Sequence, residues 1–274
     1  MSHINGPLYA EVMGPPDAPP MVFLHPNPMD NACWMYQMAH FSTWYRCIGI
    51  DLPGYGRSPI ASAGVSMVEI AQACWDVVDR EAPGRDAVLV GCSVGSYLVR
   101  HMYHLRPDAT DSIVVSGAGW RPAKNYAHER IEAYGNHGVE FRATHAMQGF
   151  SPEFAKTPLA RWLVDLFSER NASADADTII AMFSALAEPD PEGLHETLDA
   201  PFLIVIGTED VAHQSAFALR DWLPNAELVV VPGAGHTCHF EQPWVFDAET
   251  ICFLRAHGHD HLPLDSTAGE AHAR

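Results

Sequence analysis

The sequence is short of positive charge. Lysine and arginine together number 16 against 34 aspartates and glutamates, so the formal net charge is −18 at pH 7. A chain with this balance repels nucleic acid and anionic membrane surfaces, and we expect neither as a partner. The same field disfavours a highly anionic substrate, although a local pocket can override the field of the whole molecule.

Long apolar runs and the usual metal or cofactor spacings are also missing. No stretch reaches the roughly 18 apolar residues of a membrane span, and Met1–Ala10 lacks the pattern of a secretory signal. The six cysteines form no C-x-x-C pair and have no metal-ligand spacing. Neither a phosphate-binding glycine loop nor a dinucleotide fingerprint occurs. We therefore expect no cofactor, no bound metal, free thiols and a cytoplasmic location.

The sequence does contain short apolar runs that alternate with segments of helical period. This alternation is typical of βαβ units, and runs rich in Val and Ile indicate strands covered on both faces. The predicted strands are Leu8–Met13, Met21–His25, Cys47–Ile50, Ala87–Val90, Ile113–Val115, Phe202–Ile206 and Glu227–Val231. The prediction is an α/β fold with a mostly parallel central sheet flanked by helices.

The clearest predicted helix covers Met67–Ala82. Its apolar residues recur at helical spacing on one face. Ser66 and Glu69 match the S-x-x-E capping box that begins a helix, and Pro83-Gly84 ends it. We interpret this helix as scaffold rather than as part of a site.

Helical patterns replace the strand rhythm between Trp120 and Ala200. Thr178–Leu186 predicts one helix, and another apolar helix face is formed by Leu159, Trp162, Leu163, Leu166 and Phe167. We interpret residues 120–199 as a helical lid inserted into a core made of residues 1–119 and 200–258. The polar segment 259–274 is expected to be a mobile tail.

Gly91-Cys92-Ser93-Val94-Gly95 is a G-x-S-x-G motif between a predicted strand and a predicted helix, Ser96–Leu105. The pattern alone is weak, but this context strengthens it. A serine on such a turn has a strained backbone that lifts its hydroxyl clear of the sheet. The start of the following helix directs N–H groups at developing negative charge. We therefore predict that Ser93 is a nucleophile.

A serine nucleophile needs a base, and the base needs an acid to orient it. Asp210 lies just past the predicted strand Phe202–Ile206, and His236 follows a glycine-rich loop after Glu227–Val231. We predict that Asp210 is the acid and His236 the base. Glu209 is the rival acid and His239 the less favoured base.

Together these motifs resemble the α/β-hydrolase superfamily. Gly91–Gly95, Gly207–Asp210 and Gly235-His236 occur in the expected order, and Asp51–Ser58 resembles the family's D-x-x-G-x-G-x-S loop. The resemblance spans about Leu8 to Gly258. It implies a catalytic triad of Ser93, His236 and Asp210. The N-terminal region is short, which leaves open whether the first strand of the family sheet is present.

The loop expected to form the oxyanion hole departs from the family pattern. His25-Pro26-Asn27-Pro28 stands where His-Gly is common. Because proline has no backbone N–H, a donor from positions 26–28 must be Asn27. The second donor is expected to be Val94, the residue after the nucleophile. His-x-Asn-Pro also resembles haloalkane dehalogenases, but those use an aspartate where this chain has Ser93.

These residues predict a serine hydrolase that acts on a small-molecule carboxylic ester or lactone of small to medium, apolar character. The candidate pocket residues are Trp120, Met147, Trp162, Phe167, Met182 and Phe183. Carbon–carbon bond hydrolysis of ring-cleavage products is a related alternative, although Thr237 stands where such enzymes often have tryptophan. Perhydrolase or haloperoxidase-like activity and a low-turnover ligand receptor that retains the triad are further alternatives. The oligomeric state is left open.

Overall fold

A computed structural model describes residues 3–120, 125–194 and 198–263. Within them lies a seven-stranded sheet of order β1-β3-β2-β4-β5-β6-β7. The strands are β1 (Ala10–Met13), β2 (Pro20–Leu24), β3 (Arg46–Ile50), β4 (Ala87–Cys92), β5 (Thr110–Ser116), β6 (Phe202–Gly207) and β7 (Ala226–Val231). Only β1, at one edge, is antiparallel to its neighbour. The predicted fold class is confirmed, and each predicted strand overlaps an observed one.

Helices cover both faces of this sheet and explain why its strands read as continuous apolar runs. Every residue of β2, β4 and β6 is buried. Alternate side chains of one strand enter different cores: Val22 packs in one apolar cluster and Phe23 in the other. The helices of the core are α1 (Met35–Phe41), α2 (Met67–Glu81), α3 (Val94–Leu105), α8 (His213–Trp222), α9 (Cys238–Glu241) and α10 (Pro243–Ala256).

The capping box predicted for α2 is confirmed. The Glu69 N–H donates to Ser66 Oγ at 3.2 Å, and the Ser66 N–H donates to Glu69 Oε2 at 3.0 Å. Both bonds satisfy N–H groups that have no partner within the helix. The sequence was sufficient to predict this cap because all the atoms involved lie within four consecutive residues.

Among the described residues between β5 and β6 there are four α-helices. They are α4 (Tyr126–His137), α5 (Phe141–Gln148), α6 (Pro158–Arg170) and α7 (Ala176–Ala187), and we call them the helical block. The predicted face of α6 is partly wrong: Leu159 and Trp162 are exposed. The buried stripe is instead Ala160, Leu163, Val164 and Phe167. Apolar residues fill two adjacent stripes of this helix, and packing against the core selects one of them.

An ion pair ties the helical block to the core. The Nε–H of Arg170, at the end of α6, donates to both carboxylate oxygens of Asp30 at 2.8 and 2.9 Å. Asp30 is fully buried and also accepts from the side-chain amide of Asn171 at 3.1 Å. Because a buried carboxylate is costly without such partners, these bonds fix α6 against the loop after β2.

The segment beyond α10 is packed where it is described. Tyr45 donates its hydroxyl to His259 Nδ1 at 2.8 Å, and the opposite ring nitrogen donates to Asp111 at 2.7 Å. His259 and Leu262 are both buried. The expectation of a mobile tail from His259 onward is therefore wrong for these first residues, because their partners lie far away in the sequence. Residues 264–274 lie outside the described residues.

None of the six cysteines forms a disulfide bond, and five of them are buried. In the described ranges, no helix combines the length and the apolar character that a membrane crossing requires.

Candidate active site

Ser93 stands on a sharp turn between β4 and α3. Its φ of 54° and ψ of −118° place it in a region that residues other than glycine rarely adopt, and no other non-glycine residue in the described ranges has a positive φ. The Ser93 N–H donates to the Ser116 carbonyl at 3.0 Å and so pins the turn to β5. The strain predicted from the motif is present at Ser93.

The two flanking glycines are required by close backbone approach. A Cβ on Gly91 would lie 2.4 Å from the Gly95 carbonyl oxygen, and one on Gly95 would lie 2.2 Å from the Leu24 carbonyl oxygen. Any larger residue would force the turn or the neighbouring strand apart. The G-x-S-x-G spacing therefore follows from the packing of the turn against itself and β2.

Asp210 and His236 meet beyond the ends of β6 and β7. His236 Nδ1 donates to Asp210 Oδ1 at 2.9 Å, and the same oxygen accepts the Ala212 N–H at 2.8 Å. The Asp210 carboxylate is fully buried, whereas the His236 side chain is one-fifth exposed. With Nδ1 as the donor, the neutral imidazole has Nε2 as its proton acceptor.

Gly117, directly after β5, completes the packing around the imidazole. Its φ is +58°, and a Cβ there would lie 2.9 Å from His236 Nδ1. The ring therefore rests against backbone on that side, which restricts its orientation.

Opposing influences set the charge of this pair. Burial raises the pKa of Asp210, but the positive charge and hydrogen bond of His236 outweigh burial, so the net shift is downward. Burial lowers the pKa of His236, but the Asp210 charge and hydrogen bond raise it above its ordinary value, against the smaller opposing effect of Arg130. Asp210 thus stays ionised and stabilises an imidazolium at His236.

The rival acid and base have other surroundings. Glu209 is exposed, and it is Asp210 that bonds to His236. His239 is fully buried and stacks on Trp34 with ring centroids 4.1 Å apart. Burial, with a smaller effect of the His236 charge, lowers the pKa of His239 to about 3. His239 is therefore a neutral, buried residue that packs against Trp34.

The loop after β2 lies beside the serine turn. The Met29 N–H donates to the Pro26 carbonyl at 3.0 Å, and Pro26 and Pro28 have no N–H to offer. Asn27 is 8% exposed, and neither its side-chain amide nitrogen nor its side-chain oxygen has a hydrogen-bond partner among the described residues. Asn27 faces the space in front of Ser93.

The D-x-x-G-x-G-x-S segment supports this loop. Asp51 accepts the Asn31 N–H and the Arg57 N–H, each at 2.9 Å. A Cβ on Gly56 would lie 2.1 Å from the Asp51 carboxylate. The motif therefore holds together two loops at the carboxyl edge of the sheet, and it does so without facing the cavities described next.

Two adjoining cavities open in front of the site. One, the Ser93 cavity, has a volume of about 350 Å³ and is lined by Ser93, Val94, Tyr97, Phe183, Leu186 and others. The second, the His145 cavity, has about 390 Å³ and includes His145, Gln148 and Asp210 in its wall. Both walls contain Asn27, Tyr126, Arg130, Val211 and His236. These volumes are in the range of small-molecule sites.

Of the six predicted pocket residues, the structure places only Phe183 in these walls. Trp162 is 52% exposed, whereas Phe167 and Met182 are buried in the two cores. Met147 packs against one core, and Trp120 lies against Trp222 with ring centroids 4.0 Å apart. Which residues line the pocket depends on how the helical block packs against the core. The apolar character of a residue does not indicate this packing.

The wall residues that sequence reasoning missed include Tyr126, Arg130, His145 and Val211. His145 Nδ1 is bonded to the Tyr134 hydroxyl at 2.9 Å. Burial, helped by the nearby charges of Arg130 and His236, lowers the pKa of His145 well below its ordinary value. One of 16 histidines, it carried no local signal. Val211, 89% exposed, could have been suspected from its position next to Asp210.

Comparison with known proteins gives one family and several distant relatives. The profile described as "Alpha/beta hydrolase family" matches residues 21–248. The pimeloyl-[acyl-carrier protein] methyl ester esterase of Vibrio campbellii is 24% identical over 244 residues, covering 85% of this chain and 92% of that protein.

A further relative and a solved structure are also similar to this chain. The dihydrolipoyllysine-residue acetyltransferase component of the acetoin cleaving system of Pseudomonas putida is 25% identical over 248 residues. That match covers 87% of this chain but only 64% of the relative's length. The crystal structure of the enol-lactonase from Burkholderia xenovorans LB400 superposes with a TM-score of 0.81 at 18% identity, covering 92% of this chain and 98% of that one.

Proposed function

Because the chain belongs to the alpha/beta hydrolase family and is an enzyme of that kind, we propose that it hydrolyses a carboxylic ester or lactone through Ser93, His236 and Asp210. The substrate is a small to medium molecule with a largely apolar body. The observation that carries the proposal is the 2.9 Å hydrogen bond between His236 and Asp210, made in front of a serine with a strained backbone.

The reaction follows from the charges of these groups. His236 Nε2 accepts the proton of the Ser93 hydroxyl as its oxygen attacks the substrate carbonyl, and Asp210 stabilises the resulting imidazolium. The imidazolium then protonates the leaving alcohol, and an acyl-enzyme forms on Ser93. Water activated by the same imidazole releases the acid and restores the serine.

The developing oxyanion needs donors at the serine turn. We assign the backbone N–H groups of Val94, the first residue of α3, and of Asn27. Val94 benefits from its place at a helix N-terminus, where the backbone dipoles favour negative charge. Losing one such donor typically costs about 3 kcal/mol of transition-state stabilisation.

The wall of the Ser93 cavity supports an apolar substrate body. Tyr97, Phe183 and Leu186 line it, and they come from α3 and α7. In this proposal the helical block acts as the lid that shapes the pocket, whereas the core supplies the triad. The relative named as a methyl ester esterase supports an ester as the bond cleaved.

The test is hydrolysis of p-nitrophenyl esters from acetate to octanoate by the wild type and by Ser93→Ala. We expect Ser93→Ala to lose activity by several orders of magnitude, because no other group can take over the attack. Ser168→Ala is the matched control: its hydroxyl bonds to the Val164 carbonyl within α6, and it should keep full activity.

Full activity in Ser93→Ala would overturn the mechanism. A wild type that hydrolyses none of these esters would contradict the ester proposal and turn attention to carbon–carbon bond hydrolysis or to a receptor role.

A further inference from the structure

Arg130 occupies a central place in front of the site. It lies on α4 and forms part of the wall of both cavities, together with His236. Its guanidinium lies 5.0 Å from the ring centroid of Tyr126 and 5.8 Å from that of Phe141. One of its N–H groups donates to Gln148 Oε1 at 2.7 Å. These contacts hold the side chain in place at low entropic cost.

No carboxylate of the described residues lies within ion-pair distance of Arg130. Other arginines of this acidic chain have such partners, among them Arg46 with Glu81 at 3.2 Å and Arg106 with Asp79 at 2.8 Å. The partner of Arg130 is the neutral amide of Gln148. Its positive charge is felt in the site instead, where it lowers the pKa of both His145 and His236. Arg130 is therefore a half-buried cation that makes no ion pair among the described residues. The cavity walls also contain carboxylates, namely Glu129 in the Ser93 cavity and Glu209 and Asp210 in the His145 cavity.

A second, independent observation lies in the same space. Asn27 is more than nine-tenths buried, and neither polar atom of its side chain has a hydrogen-bond partner among the described residues. Asn27 lines both cavities, as Arg130 does. Buried amides without partners are rare because each lost hydrogen bond is costly, so a ligand group is the natural partner here.

From this arrangement we infer that the substrate carries a carboxylate, which Arg130 binds while Asn27 donates a further hydrogen bond to a substrate oxygen. The inference rests on the proposed hydrolysis and names its substrate class: an ester or lactone with an apolar body and one anionic end. The carboxylate takes no part in bond breaking. It orients the substrate so that its carbonyl reaches Ser93, and Arg130 attracts it locally against the overall negative field of the protein.

A binding experiment tests this inference without any substrate turnover. In the Ser93→Ala background, calorimetry compares monomethyl adipate with methyl hexanoate, two esters of equal acyl length that differ in the terminal carboxylate. We expect the acidic ester to bind about 10- to 100-fold more tightly, as a charge-assisted hydrogen bond provides. Adding Arg130→Gln should remove this preference, and Arg130→Lys should restore only part of it. Arg161→Gln, an exposed arginine of α6, is the control and should change nothing.

Turnover by otherwise wild-type protein gives the second readout, with mono-p-nitrophenyl adipate against p-nitrophenyl hexanoate. Arg130→Gln should raise KM for the acidic ester about 10- to 100-fold more than it raises KM for the neutral ester. Equal binding of both esters, or equal effects of Arg130→Gln on both, would overturn the inference while Ser93-dependent hydrolysis stands. Tight, Arg130-dependent binding without any hydrolysis would uphold the carboxylate site and overturn the proposed reaction.

Discussion

At the scale of single residues, two side chains of opposite charge determine the protonation of His236. Asp210 is bonded to the imidazole and raises its pKa above the ordinary value, and Arg130, across the cavity, lowers it. A base must be neutral to accept the Ser93 proton. The activity of the free enzyme therefore depends on which neighbour dominates at a given pH.

This balance predicts the pH profile of kcat/KM on a neutral ester. Activity should fall as pH drops through a pKa above 6.5, since protonated His236 cannot act as a base. Arg130→Gln should move this acid limb to higher pH, because removing a positive charge favours the imidazolium. Asp210→Asn should move it to lower pH and reduce kcat by about 10⁴-fold. Acid limbs that coincide in all three proteins would contradict the assignment of His236.

At the level of elements, the helical block is anchored to the core rather than free. The bond from Arg170 to buried Asp30 joins the end of α6 to the loop that carries Asn27. That loop leads into a short 3₁₀-helix, Asn31–Trp34, which Asp30 caps by accepting the Ala32 N–H at 2.9 Å. The end of α6 is thus bonded directly to the loop in front of Ser93.

Arg170→Leu should destabilise the protein by about 3 kcal/mol, because it leaves the buried Asp30 carboxylate without its charged partner. Urea unfolding at pH 7 measures this. Lys156→Ala is the control: the pair that Lys156 makes with Glu153 is largely exposed, so its loss should change the free energy of unfolding by less than about 0.5 kcal/mol. Equal effects of the two substitutions would show that the Asp30 bond does not anchor α6.

The helices and strands also show which features of the structure could be predicted from the sequence. The strands and the α2 cap were predictable because their sequence signals are local. The serine turn was predictable because the Gly91–Gly95 motif lies between a predicted strand and a predicted helix. The buried face of α6 and the packing of His259 were not, because both are set by partners distant in sequence. For the same reason Arg130 and His145 escaped notice: only the docking of the helical block brings them to His236.

For the whole molecule, buried neutral histidines tie stability to pH. Burial is the main cause that lowers the pKa of His25, His145 and His239, the last to about 3. Below pH 6.5 the unfolded chain binds more protons at these positions than the folded protein does, so these histidines make stability fall as pH falls. His236, with its raised pKa, acts in the opposite direction.

His239→Phe isolates one of these contributions while keeping an aromatic ring against Trp34. Between pH 6.5 and pH 5 the variant should gain about 2 kcal/mol of stability relative to the wild type, since each histidine that titrates only when unfolded contributes about 1.4 kcal/mol per pH unit. Denaturant unfolding at a series of pH values measures the difference. A difference that does not change with pH would show that His239 titrates alike in both states.

The central claim, that Ser93 is a nucleophile activated by His236 and Asp210, is tested most directly by covalent labelling. The protein is treated with a fluorophosphonate, digested and mapped by mass spectrometry. We expect one adduct, on the peptide that contains Ser93, absent from Ser93→Ala and formed far more slowly in His236→Ala. An adduct on another residue, or equal labelling of Ser93→Ala and the wild type, would contradict the account.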